Sequence, residues 1–563
     1  MAFNNSTDRG GANGSLAQMQ HTESLGWKDL APKRVPPTKR RHRTILTILS
    51  VLFLVALIFA ALRLSSIASG SDDTLQLRIG SQQGAVIDLR QMSALSISPY
   101  LLGTNIFPLA GSNSIDKVGS GFMNYTPFMS TTLRDMNVKL LRYPGGKWGD
   151  DHVLSFAQLD DFSRILNQTG SEGMLQMHIT GPINGNPQGM DTVATAANYA
   201  GSIVDYMNNK RSAQRTNAKA PYHPVKFWTV GNEPDLTINP ATGKVFTVQD
   251  YTQLFIQYSL KMHQNDPTIQ VFGPEISQFY GVGAGPFDAN GQPWMDKFLQ
   301  GVGDYQKAHP ELSFRILDGV SFHRYQFSNG NQQPAMLMSS TDEWNYLLPP
   351  LRTLIKQSVG LTTPKVGLDV PPVAVTEINT NPSQYQPPTT GEAAIWWADT
   401  LGTLMNQQVG YVGFFSTEGV AQPYPLFTGN GTRITAMGQV MKMFTHLQKN
   451  LLPLSIQREP VSVYATEDDA RQTLSLMFVN KSYDPQVAQI SPTTQFGSFS
   501  SWPSQNVQIA GNSVVVLTLH KGQSSTSTAY NFVAPTTVDP QVKPINYTVC
   551  GHSADPLSPS IPC

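Results

Sequence analysis

The chain has 563 residues, too many for one ordinary domain, with 39 Lys and Arg against 39 Asp and Glu. That balance excludes the strong positive field of a nucleic-acid-binding protein, so no nucleic-acid partner is expected. The two cysteines, Cys550 and Cys563, form no CxxC or His/Cys metal pattern.

Residues 1–43 are rich in Gly, Asn, Ser and Pro, with eight Lys and Arg against three acids before Ile45, and predict a disordered basic tail. Ile45 to Leu62 then carries no charge, Gly or Pro. Eighteen residues at 1.5 Å rise span about 27 Å, close to the ~30 Å hydrocarbon core, so 44–64 is predicted to be a transmembrane anchor. The cluster Lys39-Arg40-Arg41-His42-Arg43 precedes it. By the positive-inside rule the N-terminus is cytoplasmic and the rest of the chain extracytoplasmic, with the lipid bilayer as a partner. A cleaved signal peptide is the alternative, with Ser66-Ile67-Ala68 as its small-residue site. The long basic leader favours an uncleaved anchor.

Residues 65–97 read as a spacer followed by two short alternating strands between Leu75 and Leu89. From 98 to 450, short apolar runs alternate with amphipathic stretches. Candidate strands are Leu101–Ile106, Lys139–Arg142, Met174–Ile179, Lys226–Val230, Gln270–Phe272, Gly319–Phe322, Val373–Thr376 and Tyr411–Phe415. One intervening stripe (Tyr251, Leu254, Phe255, Tyr258, Met262) has Thr247 as a cap and Pro267 beyond its end. Eight strand–helix units predict an α/β fold, a (β/α)8 TIM barrel.

Over 451–522 the helices give way to short strands, Val461–Ala465, Thr473–Val479, Val507–Ile509 and Ser513–Leu519, which predict an antiparallel β-sandwich joined by the N-terminal strands. Residues 523–563 form a Ser/Thr/Pro-rich tail, expected to be loosely ordered, where Cys550 and Cys563 could pair in an oxidising compartment. Sequons such as Asn124-Tyr125-Thr126 matter only in a glycosylating host.

Two apolar runs end abruptly in a glutamate. Phe227-Trp228-Thr229-Val230-Gly231 leads into Asn232-Glu233-Pro234, and Val373-Ala374-Val375-Thr376 leads into Glu377. A lone strand-ending glutamate is more often structural. Two, at the C-terminal ends of different barrel strands, are what cleavage of a glycosidic bond requires.

Gly231-Asn232-Glu233-Pro234 on the fourth strand, with Glu377 ending the seventh, resembles clan A of the glycoside hydrolases, which are retaining (β/α)8 enzymes. The resemblance implies Glu233 as general acid/base and Glu377 as nucleophile. Arg142-Tyr143-Pro144-Gly145-Gly146 resembles a segment of several clan A families whose arginine supports the nucleophile. Ser321-Phe322-His323-Arg324-Tyr325 resembles the clan's His-x-Tyr region, which lines the site.

Asn232, His323 and Tyr325 thus join Arg142 as substrate-binding candidates. Trp148 and His178 are added for their positions after the second and late in the third strand, although ordinary loop packing would explain either equally well. Where many clan members carry a strand-eight tryptophan, this chain reads Gly413-Phe414-Phe415-Ser416-Thr417-Glu418, with Glu418 either a hydroxyl ligand or a solvated acid. The barrel-plus-sandwich plan is similar to the arabinofuranosidase, xylosidase and glucuronidase/heparanase groups.

The expected activity is hydrolysis of an oligo- or polysaccharide with retention, needing neither metal nor organic cofactor. A transglycosylase using the same residues and a silent carbohydrate-binding barrel are the alternatives.

Overall fold

The computed structural model describes residues 73–534, apart from 91–94, 116, 118, 180–191, 328–333, 364–366, 382–387, 419–423, 494–500 and 523–527. The predicted anchor, the basic tail and both cysteines lie outside the described residues. Among the described residues, no helix is long and apolar enough to cross a membrane.

Eight parallel strands close into a barrel: β1 Gly103–Asn105, β2 Leu140–Tyr143, β3 Glu172–Met177, β4 Phe227–Val230, β5 Gln270–Ile276, β6 Gly319–Tyr325, β7 Val373–Asn379 and β8 Tyr411–Phe414. Each pairs with its sequence neighbours, and β8 closes on β1 through Phe414 and Thr104. All eight expected strands are present. Their near-continuous burial explains why they read as apolar runs, since a barrel strand is covered on one side by helices and on the other by the barrel interior.

The main helices are Pro127–Asp135, Phe156–Thr169, Val193–Asn208, Val248–Asn265, Trp294–Ala308, Trp344–Val359, Thr390–Asn406 and Ala436–Met443. Their starts follow from local chemistry. Thr247 caps the fourth by accepting from the Asp250 amide, and Ser155 and Thr389 form capping boxes with Gln158 and Glu392.

Inside the barrel, an apolar layer of Leu140, Met174, Phe227, Phe272, Ala374 and Tyr411 packs with Tyr100. Two residues along the same strands stand Arg142, Gln176, Thr229 and Thr376, all buried. The period-2 alternation of a strand therefore puts a polar layer above the apolar plug, on the C-terminal side where barrel chemistry sits.

Two sheets form the sandwich. One joins Ala85–Asp88, Thr74–Ile79, Gln486–Pro492 and Gln505–Ile509, so the segment before the barrel pairs with strands after it. The other joins Asn450–Leu452, Val461–Glu467, Thr473–Asn480, Ser513–His520 and Thr528–Val533. Their shared core contains Leu75, Leu77, Ile79, Val463, Leu476, Phe478, Ile490 and Leu517.

On the opposite face of the five-stranded sheet, Tyr464, Met477, Val479, Val514 and Val516 belong to the barrel's core cluster. That sheet is buried on both sides. Thr528–Val533 corrects the expectation of a loosely ordered tail from 523: it pairs along Ser513–His520 as an edge strand, and Phe532 is buried.

Candidate active site

The two glutamates come to the barrel mouth by different backbone devices. Glu233 follows β4 with φ +42°, after Gly231 at φ +73°. A left-handed glutamate is strained, and the Glu233 amide is held there by the Glu275 carbonyl at 2.9 Å. On β7, Phe322 pairs with Val375 but His323 pairs with Glu377, so Thr376 is an extra residue in the ladder. That bulge lets consecutive residues, Thr376 and Glu377, both reach the polar cluster.

A second bulge lies on β5. Pro274 pairs with Ser321 and Ile276 with Phe322, leaving Glu275 between them at φ +61°. Its carboxylate turns into the barrel and is fully buried (0 % exposed). This residue escaped the sequence reading, which ended the strand at Phe272 before Gly273-Pro274. The available signal was the one used for Glu233 and Glu377, an apolar run ending in a glutamate.

Arg142 ties the carboxylates together. Its Nη1 donates to Glu377 Oε1 at 2.7 Å and Asn105 Oδ1 at 2.8 Å. Its Nη2 donates to Glu275 Oε2 at 2.8 Å and Asn232 Oδ1 at 3.0 Å. One planar guanidinium thereby spans three strands and the residue beside Glu233, which a lysine could not do.

The hydroxyl of Tyr325 donates to Glu377 Oε2 at 2.7 Å. His323 sits between the glutamates, with Nδ1 3.0 Å from Glu233 Oε1 and 3.5 Å from Glu377 Oε2, and Nε2 3.3 Å from Glu275 Oε2. Burial alone would lower the imidazole pKa. The charge of Glu377 and then the hydrogen bonds to Glu233 and Glu275 outweigh it and raise the value to about 10. For Glu275, burial opposes ionisation but Arg142 and then His323 prevail, holding it down at about 2.

The donor atoms of Glu233, His323 and Glu377 all lie within 4.8 Å of one another. Both ring nitrogens of His323 are engaged by carboxylate oxygens, and the raised pKa of the ring favours its protonated form, which offers no lone pair to a metal. Arg142 and His323 supply the positive charge instead. Of the three glutamates Glu233 is the most open, its side chain 26 % exposed against 4 % for Glu377.

A model of glycoside hydrolase family 44 matches residues 155–327, a stretch holding Glu233, Glu275 and His323. The chain is a glycoside hydrolase. Its fold is that of clan A. The family 51 α-L-arabinofuranosidase AbfB from Bifidobacterium longum superposes with a TM-score of 0.53 at 14% identity, over 76% of this chain and 97% of that one. A family 44 xyloglucanase from Paenibacillus polymyxa gives 0.51 at 14% identity over 76% and 97%. The α-L-arabinofuranosidase from Thermotoga maritima gives 0.51 at 15% identity over 80% and 97%. At such identities the likeness is one of fold. No curated protein matches the chain.

Around the hydrolase's carboxylates, the remaining candidates separate. Asn232, Tyr325 and His323 converge on the cluster with Arg142. His178 turns instead to the Gly149 carbonyl, 2.9 Å from Nδ1, and lines a cavity of about 20 Å³ with His152 and Tyr199. Trp148 lies on the short helix Lys147–Asp151, donates to the Ser120 carbonyl at 3.4 Å and packs its ring 4.9 Å from that of His152. Neither contact reaches Glu233 or Glu377.

Asp150, on the same helix, accepts from Gln176 at 3.3 Å. Burial pushes its carboxyl well above the usual range, against the hydrogen bond of Asn232 and with the charge of Glu233. Glu418 is buried rather than solvated and accepts from the Asn124 amide at 3.0 Å, so it fastens one loop of the mouth to another.

Proposed function

We propose that this hydrolase cleaves polysaccharide by a two-glutamate double displacement with retention, outside the membrane to which residues 44–64 tether it. One observation carries the mechanism. Oxygens of Glu233 and Glu377 lie no more than 4.8 Å apart, on the side of the ~5–5.5 Å separation of retaining enzymes rather than the ~6.5–9.5 Å that accommodates an inverting water.

Glu377, gripped by Arg142 and Tyr325, attacks the anomeric carbon while Glu233 gives its proton to the departing oxygen. A glycosyl ester forms on Glu377. Water then approaches from the open side of Glu233, loses its proton to that carboxylate and releases the sugar with its original configuration. With the proton an acid must carry on Glu233, the cluster holds two cations, Arg142 and His323, and two anions, Glu275 and Glu377. That neutral count suits a buried site.

The family 44 match, together with structural neighbours that are a glucanase-xylanase and a xyloglucanase, supports glucans, xylans and xyloglucan as the first substrates to try. The tether is supported by the uncharged run Ile45–Leu62 behind its basic cluster. The test is release of reducing ends by the full chain from these polysaccharides and from aryl arabinofuranoside, xyloside, glucoside and glucuronide. Activity on at least one, lost in Glu377→Ala, is expected. Activity that survives Glu377→Ala would refute the mechanism, and recovery of soluble protein starting near Ser69 would refute the tether.

A further inference from the structure

The Glu275 carboxylate bonds to neither proposed catalytic carboxylate, yet it is fully buried in the mouth. Its Oε2 receives both Arg142 Nη2 at 2.8 Å and His323 Nε2 at 3.3 Å, and its Oε1 accepts from the Thr376 hydroxyl at 2.9 Å. The left-handed backbone that aims it is strained, and such strain persists only where surrounding contacts over-determine it.

The groups facing His323 are Glu233 from β4, Glu275 from β5, Glu377 from β7, Arg142 held beside Glu275 from β2, and Tyr325 on its own strand. A neutral imidazole has one proton to place. If that proton sat on Nε2, Nδ1 would present a lone pair to Glu377 at 3.5 Å and, whenever Glu233 is ionised to receive the proton of water, to Glu233 at 3.0 Å; if it sat on Nδ1, Nε2 would do the same to Glu275 at 3.3 Å. With Glu233 ionised, as it must be to activate water, only the imidazolium satisfies both sides.

We propose that Glu275 is a positioning residue for glycosidic cleavage: by facing His323 Nε2 and Arg142 Nη2 together, it keeps the imidazole doubly protonated and makes Nδ1 a fixed donor between Glu233 and Glu377. Glu275 acts on the first glutamate through His323 and on the second through both cations. The inference rests on the two-glutamate mechanism above.

The experiment compares Glu275→Gln and Glu275→Asp with the wild-type enzyme across pH. Glu275→Gln removes the charge at constant shape. It is expected to lower kcat roughly 10²-fold, the scale of losing one preorganised donor, with KM within about twofold. Without the buried anion His323 gives up its proton more readily, so the alkaline limb of kcat/KM moves to lower pH by about one unit or more. Glu275→Asp keeps the charge and restores most of that limb.

A folded Glu275→Gln enzyme with unchanged kcat, or with lowered kcat and an unmoved limb, would overturn the proposal. A second readout needs no variant of Glu275. Nitrogen NMR of the wild-type protein at neutral pH, with the His323 signals assigned by their loss in His323→Gln, is expected to show both ring nitrogens protonated. One unprotonated nitrogen would overturn the proposal even if Glu275→Gln fails to fold. The ring's state is read without turnover, so failure here is distinct from failure of the mechanism, which is marked by activity in Glu377→Ala.

Discussion

The molecule buries two charged clusters with the same ingredients. At the barrel mouth, Arg142 and His323 meet Glu233, Glu275 and Glu377; at the seam between barrel and sandwich, Arg458 and Lys481 meet Asp342, Asp399 and Glu459. In the seam, Asp399 lies within a barrel helix and is enclosed by Lys481 at 3.2 Å, Arg458 at 3.3 Å, and the hydroxyls of Thr341 at 2.5 Å and Tyr464 at 2.6 Å. Two cations and three carboxylates do not by themselves mark a site.

Backbone and placement separate the clusters. In the mouth, Glu233 and Glu275 hold left-handed backbones and the carboxylates stand at strand ends. None of the five seam residues is left-handed, and Asp399 sits in an ordinary helical turn. The mouth spends backbone strain to bring two carboxylates towards one gap, whereas the seam shares two cations among three carboxylates on unstrained backbone. Strain at a functional site and its absence at a structural one is the expected contrast.

The contrast is sharpened most by substitution at Glu233. Glu233→Gln keeps the shape but holds no transferable proton, so kcat/KM should fall roughly 10²- to 10⁴-fold on substrates with poor leaving groups. The loss should be much smaller on aryl glycosides whose leaving group needs no protonation. Steady-state rates on matched pairs check this, and equal losses on both would place Glu233 outside acid catalysis.

The seam predicts the reverse pattern. Asp399→Asn leaves Lys481 and Arg458 short of a buried partner and should cost about 3–5 kcal/mol of stability, while kcat of the folded fraction stays within about twofold of wild type. Burial opposes ionisation of Asp399, but Lys481 and then Arg458 hold its pKa below the usual carboxylate range. A group depressed in this way adds stability above its unfolded value of ~3.9, lost as pH falls through the folded value. Thermal melts should therefore show the wild type losing stability below about pH 4 and Asp399→Asn losing less. A seam variant that melts normally but turns over slowly would erase the distinction between the clusters.

The smallest effect is expected at Gly146. Its φ is +69°, and an added Cβ would lie 3.0 Å from Glu377 Oε1 and 3.3 Å from the Phe415 ring. Gly146→Ala should cost about 1–2 kcal/mol in transition-state stabilisation, near tenfold in kcat, with KM little changed. An unaffected kcat would show that Glu377 tolerates displacement.

How much of this was legible in the sequence follows from where burial and pattern agree. The barrel strands were, because they read as short apolar runs at helix-length intervals. Glu233 and Glu377 were, because those runs stop on them. Glu275 was hidden by Gly273-Pro274, a dipeptide that reads as a strand end but here lies inside β5. A bulge has no signature in a two-residue period, so strict alternation could not say that both Thr376 and Glu377 reach the cluster.

Trp148 was placed by its position just past the second strand and His178 by its position late in the third, which fix neither side-chain direction nor partner. Asn450–Leu452 escaped because it is only three residues long, and Gln486–Pro492 and Thr528–Val533 because much of each is exposed. The seam was invisible because its members come from residues 342–481 and meet only after the sheet has docked.

The central claim is that Glu377 attacks the anomeric carbon from one face of the sugar while Glu233, on the other, protonates the leaving oxygen and then activates water. Proton NMR of the anomeric signals during the first minutes of hydrolysis, on whichever glycoside is turned over, tests it most directly. The account predicts that the first-formed sugar carries the anomeric configuration of the substrate, with the other anomer growing in only at the rate of mutarotation. A first product of inverted configuration would contradict it.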